Sequence, residues 1–174
     1  MNRRELETLF LTLESTPALL ARAASGLSDA QTRRSPKNGR FSFIEHVWHL
    51  ADLEREGYGV RIRRLLTEED PMLSNFDGDR VMRERVYSKR DLAEGLTAFA
   101  RARHANLEQL RGLSAEDWKR RGDQEEVGRV DLSDIPRMMT EHDRAHTAEL
   151  ADLIAELTGV ERQTPQQHPR SAVA

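Results

Sequence analysis

Glu141-His142-Asp143-Arg144-Ala145-His146 places two imidazoles four residues apart inside a helical pattern of apolar residues. At that spacing both side chains point the same way, one turn apart. The flanking apolar positions Leu132, Ile135, Met139, Leu150, Leu153 and Leu157 define a stripe, and at about 100° per residue both histidines fall inside it. They are predicted to face the core, where an imidazole must be satisfied by hydrogen bonds or by a metal ion. Two ligands on one helix do not make a site; a third is required from another apolar helix.

One other segment carries two histidines one turn apart: Phe43-Ile44-Glu45-His46-Val47-Trp48-His49-Leu50-Ala51-Asp52-Leu53-Glu54. Helical phase slightly favours His46, which sits nearer the line through Phe43, Val47 and Leu50. His49 shares its flank with Glu45, Asp52 and Glu56. Periodicity leaves the choice open.

The stretch from Phe41-Ser42 through His49-Leu50-Ala51-Asp52, with His142-Asp143-Arg144-Ala145-His146 far downstream, resembles the DinB/YfiT-like superfamily of bacterial metal-binding four-helix bundles. The resemblance extends over residues 6–157 and takes in the Thr16-Pro17 step and the loop Asn75-Phe76-Asp77-Gly78-Asp79. Phe41 stands where the family often has Trp, a packing position. The resemblance implies an all-α four-helix bundle with long crossover connections. It also implies a metal held by His49, His142 and His146, with His46 expected either to support a ligand or simply to pack. His104, among Arg101, Arg103 and Asn106, is expected at the surface, and His168 in the tail.

A chain of 174 residues fits one domain, expected over residues 1–162, with a tail at 163–174 whose two prolines and three glutamines suggest disorder. The charge balance, 27 basic against 30 acidic side chains, carries no polyanion footprint, so nucleic acid is not an expected partner. Arg61, Arg63 and Arg64 read as a solvated helix flank. Cysteine is absent, so a metal must be bound by nitrogen and oxygen, and any thiol in the chemistry must come from outside. No run approaches the ~20 apolar residues of a membrane span and no long apolar leader opens the chain, so the expected location is cytoplasmic.

Along the chain, Pro17 predicts a kink or break near Thr16. Ser42 and Glu45 predict a capping box that starts a second helix running to about Leu66. Residues 67–87 read as a long crossover. Ser88 is the expected cap of a third helix ending at Gly112, and Asp131 or Ser133 of a fourth ending before Gly159. No strand of useful length is expected. Trp48 and Ile62 lie off the main stripe of the second helix and suggest a face for a homodimer.

Three neutral imidazoles suit a divalent ion of zinc or nickel type with a position left open for water or substrate. Glu45, Asp52, Glu141 and Glu149 are the carboxylates near enough in sequence to orient the ligands. Arg144 lies between the two ligands of its helix but on a different face. The resemblance implies an enzyme in which the metal activates an external low-molecular-weight thiol, of bacillithiol or mycothiol type, toward a small-molecule electrophile. A metal-dependent hydrolase and a non-catalytic, stress-related binding protein are the alternatives.

Overall fold

The structure, a computed structural model, describes residues 2–36 and 40–159; the expected tail lies outside them. In chain order come α1 (Arg3–Ser25), the short α2 (Asp29–Arg33), α3 (Phe43–Asp52), a π-helical stretch (Leu53–Tyr58) and α4 (Gly59–Thr67). After them come β1 (Met72–Leu73), α5 (Gly78–Arg85), α6 (Leu92–Arg111), β2 (Arg121–Gln124), β3 (Gly128–Asp131) and α7 (Ile135–Thr158). The α3–π–α4 rod packs with α1, α6 and α7 as a four-helix bundle.

The bundle has two apolar ends. One gathers Phe10, Leu13, Ile62, Leu107 and Met139; the other gathers Leu20, Phe43, Val47, Phe99 and Leu150. Full burial of each such side chain contributes about 1.5–3 kcal/mol, enough in sum to sustain a polar middle. That middle is built from one buried residue of each rod: Thr16, Glu54, Arg103 and Asp143. Arg103 donates to Asp143 at 2.7 and 2.9 Å, to Glu54 at 3.0 Å and to the Leu13 carbonyl at 3.0 Å. Thr16 Oγ1 donates to Asp143 at 2.7 Å.

Pro17 explains the Leu13 contact. Proline has no N–H, so the carbonyl four residues earlier loses its helical donor; that carbonyl belongs to Leu13, and Arg103 supplies the missing hydrogen. With the lost donor replaced from outside, α1 runs through Pro17 without the expected break.

The second rod starts as predicted. Glu45 accepts from the Ser42 N–H at 2.8 Å and from its hydroxyl at 2.7 Å. The π stretch, by contrast, departs from the continuous helix expected there. Asn106 of α6 donates to the Glu54 carbonyl at 2.8 Å and to its carboxylate at 3.0 Å, while the Gly59 N–H reaches back five residues to the same carbonyl. Glycine eases this approach, since a Cβ at Gly59 would lie 3.0 Å from Asn106 Oδ1 and crowd it. A π turn adds about one residue to the helix and rotates all later positions by ~100°. The rotation carries Ile62 into the core, at 0 % exposure, and turns Arg61 to the flank, where the crossover chain covers it. Neither residue is solvated, and Trp48 is buried as well, donating to the Asp91 carbonyl at 2.9 Å beneath Arg90. The expected dimer face is therefore interior.

The connections hold a small sheet where no strand was expected. β1 runs parallel to β2, and β2 antiparallel to β3. Arg121-Gly122-Asp123-Gln124 has no apolar alternation, because its pairing is by backbone and not by a greasy face. The sheet clamps the crossover to the α6–α7 connection, where Trp118 packs against the apolar core. Asp91, not Ser88, caps α6, since Tyr87–Lys89 forms a separate 3₁₀ turn. Asp131 opens the last helical run and Gly159, in the left-handed region, closes it.

Candidate metal centre

His49 of α3 and His142 and His146 of α7 converge where the polar middle meets the second apolar end, each offering a ligand atom within 4.8 Å of the others. Ring centroids lie 4.8 Å apart for His49 and His146, 5.5 Å for His49 and His142, and 4.3 Å for His142 and His146. His142 Nε2 and His146 Nε2 are 3.1 Å apart. Two nitrogens bound to one four-coordinate zinc-type ion sit about 3.3 Å apart, so the pair is already spaced for a shared ion.

His49 is 9 % exposed, and no hydrogen bond reaches either of its ring nitrogens among the described residues. Its Nδ1 faces Gly78 at the start of α5, where a Cβ would lie 2.6 Å away. Glycine at 78 is what admits the ring, and Nε2 is left for a ligand. An imidazole buried with both nitrogens unused is costly, and an ion shared with His142 and His146 removes that cost.

Burial sets the protonation state. It lowers His142 to about 2, with charge on His146 and His49 adding to the effect, and lowers His49 to about 4, helped by His146. His46 falls to about 3, first through burial and then through His146, His49 and Arg40. His146 is lowered by burial against the pull of Glu149 and Asp143. All four are neutral at physiological pH, the form that binds metals. The unperturbed histidine value of about 6.5 therefore does not govern the site.

His46 stands behind His146. Their Nδ1 atoms are 2.9 Å apart, and His46 Nε2 lies 3.8 Å from Glu149. With an ion taking the Nε2 lone pair of His146, the His146 proton would sit on Nδ1 and be donated to His46 Nδ1, leaving the His46 proton on Nε2 toward Glu149. His46, His146 and Glu149 also form a second group of metal-capable spacing that shares His146. Of the four carboxylates expected around the site, only Glu149 lies beside it. Glu45 is spent on the helix cap, and exposed Glu141 lies beside Arg137. Asp52 is enclosed by Tyr87, Arg55 and Arg85. His104 and Arg144 are exposed, and His168 lies outside the described residues.

Phe41 closes over the cluster, its ring 5.5 Å from His46 and 5.3 Å from His49. Beside it lies a cavity of about 50 Å³ lined in part by Arg40, Phe41, His46 and Glu149; the side chain of His146 is 14 % exposed. On the far side stand Tyr58, 6.3 Å from His142, and Phe76, 6.0 Å from His49.

The sequence profile of the DinB superfamily matches residues 12–169. The chain belongs to that superfamily. A Bacillus licheniformis protein provisionally named a metal-dependent hydrolase is 37 % identical over 76 residues, which span 44 % of this chain and 43 % of that protein. YfiT of Bacillus subtilis, provisionally named in the same way, is 26 % identical over 157 residues, 88 % of this chain and 86 % of its own. A solved structure of YfiT, described as having an unusual four-helix bundle topology, superposes with a TM-score of 0.82 at 22 % identity, covering 91 % of this chain and 90 % of that one. The likeness in structure is one of fold.

Proposed function

We propose that the protein is a metal-dependent enzyme in which His49, His142 and His146 hold a divalent transition ion, zinc or nickel, and that its reaction is hydrolysis of a small molecule. One observation carries the reading: three neutral imidazoles from two helices converge, His49 buried and His142 and His146 partly so, with His49 Nδ1 and His142 Nδ1 left without a hydrogen-bond partner among the described residues. The names of the Bacillus relatives favour hydrolysis. When bound, the ion would supply Lewis acidity and lower the pKa of a coordinated nucleophile. The chain's own residues orient the ligands through His46 and Glu149, exclude bulk water with Phe41, and leave His146 approachable.

A second reading keeps the same ligands and takes an external thiol as nucleophile. The absence of cysteine is consistent with it, because such a thiol has no competitor within the chain. One experiment separates the two. Protein stripped with chelator and reloaded with zinc or nickel is assayed against a panel of esters and amides, and against monochlorobimane with and without low-molecular-weight thiols. Metal-dependent turnover without thiol, lost in His49→Ala, supports hydrolysis; turnover only with thiol supports transfer. Rates independent of metal in both assays overturn the enzymatic reading and leave a binding protein.

A further inference from the structure

Arg61 is a cation without a counter-charge. It is 6 % exposed, its Nε is buried with no partner, and its only hydrogen bond among the described residues is one of 3.4 Å from Nη2 to the Ser74 carbonyl. The guanidinium lies 5.5 Å over the Tyr58 ring, and no carboxylate among the described residues pairs with it. Burial lowers its pKa, the direction expected of a charge removed from water and not compensated. The other arginines of this face are occupied. Arg64 holds Glu68 and the Met72 carbonyl, and Arg80 holds Glu84.

Arg61 lines a cavity of about 230 Å³ between α4, the loop at 73–77 and α5, with Phe76 and Arg64 among its walls; two carboxylates line it as well, Glu56, which is held by Arg55 and Arg85, and Asp77, which caps α5. Two residues connect this cavity to the histidines. Phe76 lines the cavity and touches His49, and Tyr58 stands between Arg61 and His142. A buried, unpaired guanidinium destabilises a fold and persists where it binds something. Its planar fork matches carboxylate and phosphate oxygens.

We infer that this cavity is an anion-binding subsite in which Arg61 receives a carboxylate or phosphate group, and that the substrate handled at the histidine cluster carries that group. The assignment to a substrate rests on the metal-dependent reading above; the anion site does not.

The probes are inorganic phosphate and acetate at constant ionic strength, titrated into metal-loaded and chelator-treated protein and followed by calorimetry and thermal unfolding. Wild type should bind one of them saturably and be stabilised by it, phosphate pointing to phosphoryl substrates and acetate to carboxylates. Arg61→Met should bind at least tenfold more weakly in both forms, Arg61→Lys should retain part of the affinity, and Arg63→Met, at an exposed position outside the cavity, should bind as wild type. In anion-free buffer Arg61→Met should be as stable as wild type or more so, because the replacement removes an uncompensated charge. Marked destabilisation of Arg61→Met would make the residue a clamp on the Ser74 loop and overturn the inference. Undiminished anion binding by that variant, or no saturable binding by wild type, would overturn it equally. Metal content, measured in parallel, tells the two readings apart: wild type without metal but with Arg61-dependent anion binding sinks only the metal reading.

Discussion

Two buried arginines, Arg103 and Arg61, are both more than nine-tenths enclosed, yet only one has been given partners. Arg103 meets two carboxylates and a carbonyl that Pro17 left without its donor, with only Nε unused. Arg61 meets one distant carbonyl. The histidines repeat the contrast: His46 is engaged by His146 and lies near Glu149, whereas His49 makes no hydrogen bond among the described residues. Arg103 and His46 spend their polar groups on neighbouring helices, whereas those of Arg61 and His49 are left for the ligands proposed above.

The contrast can be broken most forcefully at Arg103. Arg103→Met leaves Glu54 and Asp143 buried without their counter-charge and should cost about 3–5 kcal/mol, measured by urea unfolding. A loss below about 1 kcal/mol would show that the polar middle is not what aligns the rods. The next effect in size is on metal. Alanine at His49, His142 or His146 should weaken zinc or nickel binding by orders of magnitude in a chelator competition, while His46→Ala, which removes only the residue that orients His146, should cost about 10–100-fold. Equal losses at positions 46 and 49 would mean that the ion sits in the group containing Glu149.

Gly78→Ala tests the contrast without touching a ligand. The added methyl occupies the space beside His49 Nδ1, so metal affinity should fall by about tenfold or more while far-ultraviolet circular dichroism is unchanged. Affinity equal to wild type would mean that His49 need not enter so deeply.

The smallest effect is a slope with pH. The folded histidine values lie below the unfolded value of about 6.5, so the unfolded chain binds more protons between them and stability rises with pH. Metal-free protein should lose stability steadily from about pH 6.5 to about pH 5, a window above most carboxylate titrations, and His49→Leu should flatten the decline. Metal affinity should persist well below pH 6.5 because His49 and His142 remain neutral there. A flat stability profile would contradict their burial.

Much of this is readable in the chain. The apolar stripe around His142 and His146, the Ser42–Glu45 cap, and the ends at Gly112 and Gly159 are local features, and each takes its expected place. The features that escape depend on contacts distant in sequence. The π stretch exists because Asn106 reaches Glu54, so no pattern within residues 53–58 announces it, and every inward or outward assignment after it, including Arg61 and Ile62, is rotated. The sheet pairs backbone across about fifty residues, and Asp52 meets Tyr87 and Arg85 instead of a metal ligand. Periodicity cannot separate His46 from His49 because both are buried; they differ only in what each one faces.

Pro17 gives the bundle a form of error checking. A helix normally presents its neighbours with a featureless backbone, so a slip of one turn along the axis changes side-chain contacts but leaves the main chain indifferent. By deleting one amide hydrogen, Pro17 marks the Leu13 carbonyl as an address on α1 that α6 docks against through Arg103. A slipped arrangement would strand the carbonyl and misplace the guanidinium at once. A residue known for disrupting helices thereby sets the longitudinal alignment of the two helices.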